Sequence, residues 1–404
     1  MRKQIARLAR AIDEGWRKAS GRIAAFTSVA VRALERVPIE ADEAAIAAWT
    51  LSTSELPEEC NPFGDAGPAA FTVHRGDGFV LNLYVYATPD LFIHDHGFAG
   101  AFVNLRGDSL HCLFRFDTDT APGAGVLAGR LALHQAELLR PGMVAPLIPG
   151  PSSAHRVWHL GRPTIVLVAR TLEAQRGLVQ YKYDAPGLAT RIVRPPPYGP
   201  EVPLAYRKRT KMLELLRQTN PAAAGDYLGE VLRSSDAWSA AAHTLDQWDW
   251  LERESMLSGV LGDLRKRHGV WVDALPAVRR GLVLHRSIDW NALVDDGARL
   301  LLALLLTFPN KAAIADWIQK VHPGVDADEA IVSWLRAAWE SSAVDTALDD
   351  AGVAILRALL RGHRGNALLT ALRKDFALDT STERQVLKTA REIARVELFK
   401  PLLA

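Results

Sequence analysis

The run FVLNLYVY, residues 79–86, decides how the first half of the chain is read. Asn82, Tyr84 and Tyr86 alternate with Leu81, Leu83 and Val85, which is the two-residue period of a strand with two different faces. Short segments of the same character follow: HCLFRF from His111, LLRPGMVAPLIP from Leu138 and PTIVLVARTL from Pro163. Glycines and prolines punctuate them and no helical pattern intervenes, so an antiparallel sandwich or small barrel is expected. Upstream the period changes. Ile5, Leu8, Ile12 and Trp16 recur at helical spacing, a second periodic stretch runs from Ile23 to Leu34, and a third helix is expected after Pro38, through Ala44 to Trp49.

Downstream, RPPPYGP (Arg194 to Pro200) ends the strand-rich region, because three consecutive prolines join neither a helix interior nor a central strand. Everything after it reads as helical. Asn220-Pro221 is a helix start with proline at the first position, and Asp326 with Glu329, like Thr380 with Glu383, has capping-box spacing. Ile331, Trp334, Leu335 and Ala338 form one apolar stripe, and eight of the eleven tryptophans fall after residue 230, which gives this half its aromatic payload. The class expected is therefore α+β. A helical segment, 1–60, packs on an antiparallel β-barrel, 61–193; a Pro-rich linker, 194–204, leads to an all-helical domain, 205–404.

Composition bounds the function. The chain has 404 residues, 23% charged and 49% hydrophobic, with 48 basic against 46 acidic side chains and no long block of one sign. Neither nucleic acid nor a membrane surface is an expected partner on that balance. The longest apolar run, Leu300 to Phe308, is too short to span a bilayer, and the charged N-terminus lacks a signal-peptide core. Cys60 and Cys112 make no disulfide framework, so a reducing, cytoplasmic setting is expected.

Chemistry concentrates in the histidines. Seven of the twelve (His74, His94, His96, His111, His134, His155 and His159) lie in the strand-rich segment. His94 and His96, two apart at the end of an expected strand, place both imidazoles on one face, where they can bind a single metal ion. The first motif reads HDHGFAGAFVNLRG, closing at Gly107. About sixty residues on comes GMVAPLIPGPSSAHRVWH, from Gly142 through His155 to His159.

With these two motifs the chain resembles the cupin superfamily over roughly residues 60–190, and within it the three-histidine thiol dioxygenases of the cysteine dioxygenase type. The resemblance implies a barrel whose metal ligands are His94, His96 and His155, with no glutamate ligand, since that position falls near Gly100 or Ala101. The expected ion is Fe(II); Zn, Ni, Mn or Cu suit the same ligand set. An iron site implies a dioxygenase that takes a small polar substrate, thiol- or carboxylate-bearing, together with O2. The chain departs from cysteine dioxygenases where their Ser, His, Tyr series aligns with Val166, Val168 and Arg170. It departs also at Ala101, in place of the cross-linking cysteine, and near Val73 or His74, in place of the substrate-binding arginine. Two other readings stand beside the dioxygenase: a non-catalytic barrel whose helical domain docks a protein partner, and a Zn-type isomerase or hydrolase. The helical half is equally compatible with a homodimer interface.

Around the ligands, Tyr84 and Tyr86 share the face that the resemblance turns inward, where they either donate hydrogen bonds to a bound molecule or pack with satisfied hydroxyls. Arg170, at the lost tyrosine's position, either clamps a substrate carboxylate or points to solvent at the strand end. His159, four residues past the third ligand, is expected to orient its neighbour. His111 and His134 are read as structural, and Asp95 as pointing off the metal face. GAGVLAG, from Gly123 to Gly129, lacks dinucleotide spacing and reads as a loop between strands.

Overall fold

A computed structural model describes residues 1–52, 56–60, 69–89, 92–123, 125–172, 179–193, 202–345, 348–374 and 376–403. Three helices open the chain: α1 (Arg2–Lys18), α2 (Ile23–Arg36) and α3 (Glu43–Ser52). Eleven strands follow among the described residues: β1 (Ala69–Arg75), β2 (Phe79–Tyr86), β3 (Ile93–His94), β4 (Gly100–Arg106), β5 (Ser109–Gly123), β6 (Val126–Leu139), β7 (Val144–Leu147), β8 (Ala154–His159), β9 (Thr164–Thr171), β10 (Tyr181–Asp184) and β11 (Leu188–Arg191). From Leu204 onward the regular structure is helical. The α+β class, the leading helices, the antiparallel barrel and the trailing helices expected from the sequence are all present.

The strands make two layers. One is a sheet in the order β1-β2-β9-β4-β7, and the other closes as β10-β11-β6-β5-β8-β3. In the first, β2 and β9 pair in register, Tyr84 opposite Val166 and Asn82 opposite Val168, so each strand's alternate residues share a face. Leu81, Leu83, Leu167 and Ala169 point outward and form one core with Leu8 and Ile12 of α1 and Phe26 and Ala30 of α2. The inward face supplies Val166 to a second cluster with Phe98, Phe102, Val157 and Leu147, against which Tyr86 and Val168 pack. The helices at 1–52 thus exist to cover one side of a sheet whose other side lines the barrel interior.

Gly107 shows why the first motif closes on glycine. It turns the chain from β4 to β5 with φ +74, and a Cβ there would lie 2.8 Å from Thr164 Oγ1.

Three local expectations are revised. The stretch 123–129 is the tip of the long β5–β6 hairpin, with Val126 to Gly129 already paired in β6; Ala124 lies outside the described residues. The helix Thr380–Arg395 is capped by Asp379, whose carboxylate accepts from Thr382 N at 2.7 Å, because an aspartate one residue earlier outcompetes the Thr380 hydroxyl; Glu383 pairs instead with Arg373. At Asp326 the cap forms as expected, but Glu329 turns to Arg357 and Arg361.

The chain divides into two compact units. The first comprises 1–86, 90–157 and 163–282; the second comprises 87–89, 158–162 and 283–404. The proline-rich stretch 194–200 lies outside the described residues. In the second unit Arg299 is fully buried and donates to five backbone carbonyls, those of Leu293, Leu160, Gly161, Ala87 and Trp290, at 3.0–3.4 Å. Beside it Trp158 stacks on His285 at 5.6 Å and donates from Nε1 to Thr307 at 2.9 Å. No helix among the described residues is long and apolar enough to cross a membrane.

Candidate metal centre

His94 ends β3, His96 follows the next residue in an isolated bridge to Pro149, and His155 sits in β8 directly opposite His94. Strand pairing sets His155 beside His94, and the ring of His96, 59 residues before His155, meets the same imidazole. Their ring centroids form a near-equilateral triangle of 4.8, 4.9 and 4.9 Å. One ring nitrogen from each lies within 4.8 Å of the others, and all three side chains are buried.

The distances suit a metal ion. Two imidazole nitrogens, each about 2.1 Å from one ion at roughly a right angle, lie about 3 Å apart, and Nε2 of His96 and Nε2 of His155 are 2.9 Å apart. The outer nitrogens of two of the three have partners of their own. His94 Nδ1 faces the Phe92 carbonyl at 3.3 Å, and His155 Nδ1 faces His111 Nε2 at 2.9 Å. With each Nδ1–H donating outward, both Nε2 lone pairs are left for the centre.

His111, which the sequence reads as structural, stands against the outer nitrogen of His155, a contact the sequence does not show. It lies on β5, which neighbours β8 in the barrel, and its ring meets Phe102 edge-on at 5.4 Å. Burial pulls its imidazole down to about 4, so it is neutral and able to accept from His155. The one available signal was its place in a strand-rich, histidine-dense segment; its face depended on strand order. His159, expected to orient its neighbour, is buried at the end of β8 and lies outside the three-histidine group.

Asp95 points away from the ligands. Its Oδ1 accepts from Tyr181 N and its Oδ2 from Tyr183 Oη, both at 2.8 Å, which ties the HxH turn to β10. Burial raises its carboxyl, while the Tyr181 amide, the Tyr183 hydroxyl and the nearby His94 pull the other way. Burial and the Asp95 carboxylate both raise the Tyr183 phenol.

Arg170 lies inside, not at a solvent-facing strand end. Nε donates to Asn82 Oδ1 at 3.2 Å, Nη1 to the Thr171 carbonyl at 3.4 Å and Nη2 to the Cys60 carbonyl. The guanidinium also sits 5.1 Å above the Phe98 ring, which in turn packs 4.4 Å from His96. Tyr84 and Tyr86 lie on the inner face of β2 with rings 6.0 Å apart, and Tyr86 packs on the cluster containing Phe98 and Phe102. Val166 and Val168 add apolar surface to that wall.

No protein-family model matches the chain, and no curated protein matches it. Among solved structures, a cupin superfamily protein from Desulfitobacterium hafniense DCB-2 is similar at 12% identity over 33% of this chain and 95% of that one, with a TM-score of 0.20. Hydroquinone 1,2-dioxygenase from Sphingomonas sp. TTNP3, with 4-hydroxybenzoate bound, is similar at 18% identity over 28% of this chain and 70% of that one, with a TM-score of 0.21. A sugar phosphate isomerase from a cupin superfamily of Silicibacter pomeroyi is similar at 17% identity over 32% of this chain and 73% of that one, with a TM-score of 0.19.

Proposed function

We propose that the chain is a mononuclear non-haem iron dioxygenase of the three-histidine cupin kind, acting on a small substrate through a thiol or carboxylate group. The observation that carries this reading is the buried triangle of His94, His96 and His155, with two Nε2 atoms 2.9 Å apart. Three neutral imidazoles would leave a divalent ion its full charge and free positions for an anionic substrate group beside O2. The chain's own residues do the rest. Phe92 packs on His94, Phe98 on His96 and Phe102 on His111, at ring distances of 5.0, 4.4 and 5.4 Å. They make the surroundings apolar and favour a substrate whose body is apolar beyond its coordinating group.

Tyr86 and Tyr84, on the inner face of β2, are the phenols assigned to donate to that substrate. Arg170, whose three nitrogens already donate to protein, acts by holding Phe98 against His96 rather than by clamping a carboxylate.

The test is metal analysis of protein purified without a chelating tag, then anaerobic Fe(II) reconstitution and nitric oxide binding followed by EPR. About one equivalent of iron and a high-spin ferrous nitrosyl signal, lost in His96→Ala, are expected. Full metal retention in His94→Ala and His155→Ala overturns the site. The valines at 166 and 168 favour one competing reading, a binding barrel without turnover, since they are apolar and the polar Arg170 on the same face of β9 is engaged with Asn82, Thr171 and Cys60. Iron binding with no oxygen uptake across thiols and carboxylates would select it, while stoichiometric zinc would select an isomerase or hydrolase.

A further inference from the structure

The first 36 residues carry nine Lys and Arg against three acidic residues, in a chain whose net charge is only +2. They form the α1–α2 hairpin. One face of the hairpin is buried through Leu8, Ile12, Phe26 and Ala30 in the core beneath the outer sheet. A different face holds a groove of about 390 Å³ between the two helices, rimmed by Arg7, Lys18, Arg32 and Arg36, with Glu14 the single acid among its lining residues.

The positions follow from helical spacing. Arg7, Glu14 and Lys18 lie on one stripe of α1, and Arg32 and Arg36 are one turn apart on α2. The floor is apolar and close-packed: a Cβ on Gly15 would come within 2.9 Å of Val29 Cγ1. Among the described residues none of the four cationic side chains has an ion pair or hydrogen bond. Of the five cations of 1–36 outside the groove, three have partners, Arg17 with Asp13, Arg2 with Ser52 and Arg22 with the Ala19 carbonyl, while Lys3 and Arg10 are scattered singly.

Four like charges gathered around a single acid repel one another, and an anion entering the groove relieves that repulsion. Three of the four are guanidiniums, whose paired N–H groups match the oxygens of phosphate in fork geometry. Four positive charges around one acid call for several negative charges on one compact ligand. A single carboxylate offers one, whereas a chain of phosphates offers three or more within a few ångströms. The volume falls in the ordinary range of small-molecule sites.

We propose that the α1–α2 groove binds a small molecule bearing consecutive phosphate groups, at a site separate from the three histidines. Because the groove is built on helices docked to the sheet, the backbone that carries the cations is fixed before the ligand arrives, and the exposed side chains order on binding.

The experiment is calorimetric titration of the full chain with inorganic triphosphate at low ionic strength, with EDTA present so that no ion on the histidines takes up phosphate. One-to-one binding is expected, weakened by added salt and lowered at least tenfold in the Arg32→Ala/Arg36→Ala double variant. Arg7→Ala should weaken it independently, while Arg10→Ala, exposed and outside the groove, should not. Circular dichroism checks that the variants keep their helices. Absence of binding, equal binding by the double variant, tighter binding of citrate than of triphosphate, or binding of polyglutamate without triphosphate would each overturn the proposal. The histidine site is not involved in any of these readouts, so its failure or success leaves this test intact.

Discussion

Nε2 of His111 lies 2.9 Å from Nδ1 of His155, with the two buried rings nearly perpendicular at 84°. Such a bond holds a ligand imidazole in one tautomer and one orientation. Replacing His111 by Phe keeps the ring contact with Phe102 but removes the acceptor, so metal affinity should fall roughly 10- to 100-fold. Competition with a chromophoric chelator measures this. Retention of wild-type affinity would show that His111 is packing alone.

Arg170 joins Asn82, the Cys60 carbonyl and the Phe98 ring in one buried network. Arg170→Met should cost about 1–3 kcal/mol, because it leaves Asn82 Oδ1 and the Cys60 carbonyl without their charged donor. The EPR signal of an iron nitrosyl should broaden as Phe98 loosens against His96. Urea unfolding and the EPR line shape report the two effects separately.

Arg299 donates to five backbone carbonyls, with the Asp296 carboxylate near enough to favour its charge. Its fork reaches segments 139 and 212 residues away in sequence, at Leu160 and Ala87. Arg299→Met should destabilise by roughly 3 kcal/mol or more, and Arg299→Lys should recover only part of that, since an ammonium cannot span the same acceptors. Hydrogen exchange should show lost protection at 158–162. Unchanged protection there would contradict the pinning role.

His243 is almost fully buried, and neither ring nitrogen has a hydrogen-bond partner. Burial lowers its imidazole to about 4, so the native state keeps it neutral while the unfolded chain protonates it near pH 6.5. Between those values the unfolded state binds more protons, and stability falls as the pH drops from 6.5 towards 4. In His243→Phe that part of the acid sensitivity should vanish. Denaturant midpoints at pH 7 and pH 5 in both proteins make the comparison.

Several features were legible in the sequence for local reasons. The alternation of 79–86 marks β2, residue for residue, because side-chain direction in a strand depends only on parity. Helical spacing located α1 and α2, and Asn220-Pro221 marked a true helix start, with Asn220 accepting from Ala223 N. The HxH spacing puts two imidazoles on one side of a short segment whatever surrounds it.

What the tertiary structure alone decided are the pairings across the barrel. Whether His111 faced inward depended on β5 lying beside β8, and no periodicity within β5 reports its neighbour. Asp95 finds its phenolic partner 88 residues away, and Arg170 finds the Cys60 carbonyl 110 residues away. Local sequence sets which way a side chain points from its own backbone. What it then meets is set by strand order and closure of the barrel, which depend on the burial of apolar faces contributed by the whole unit.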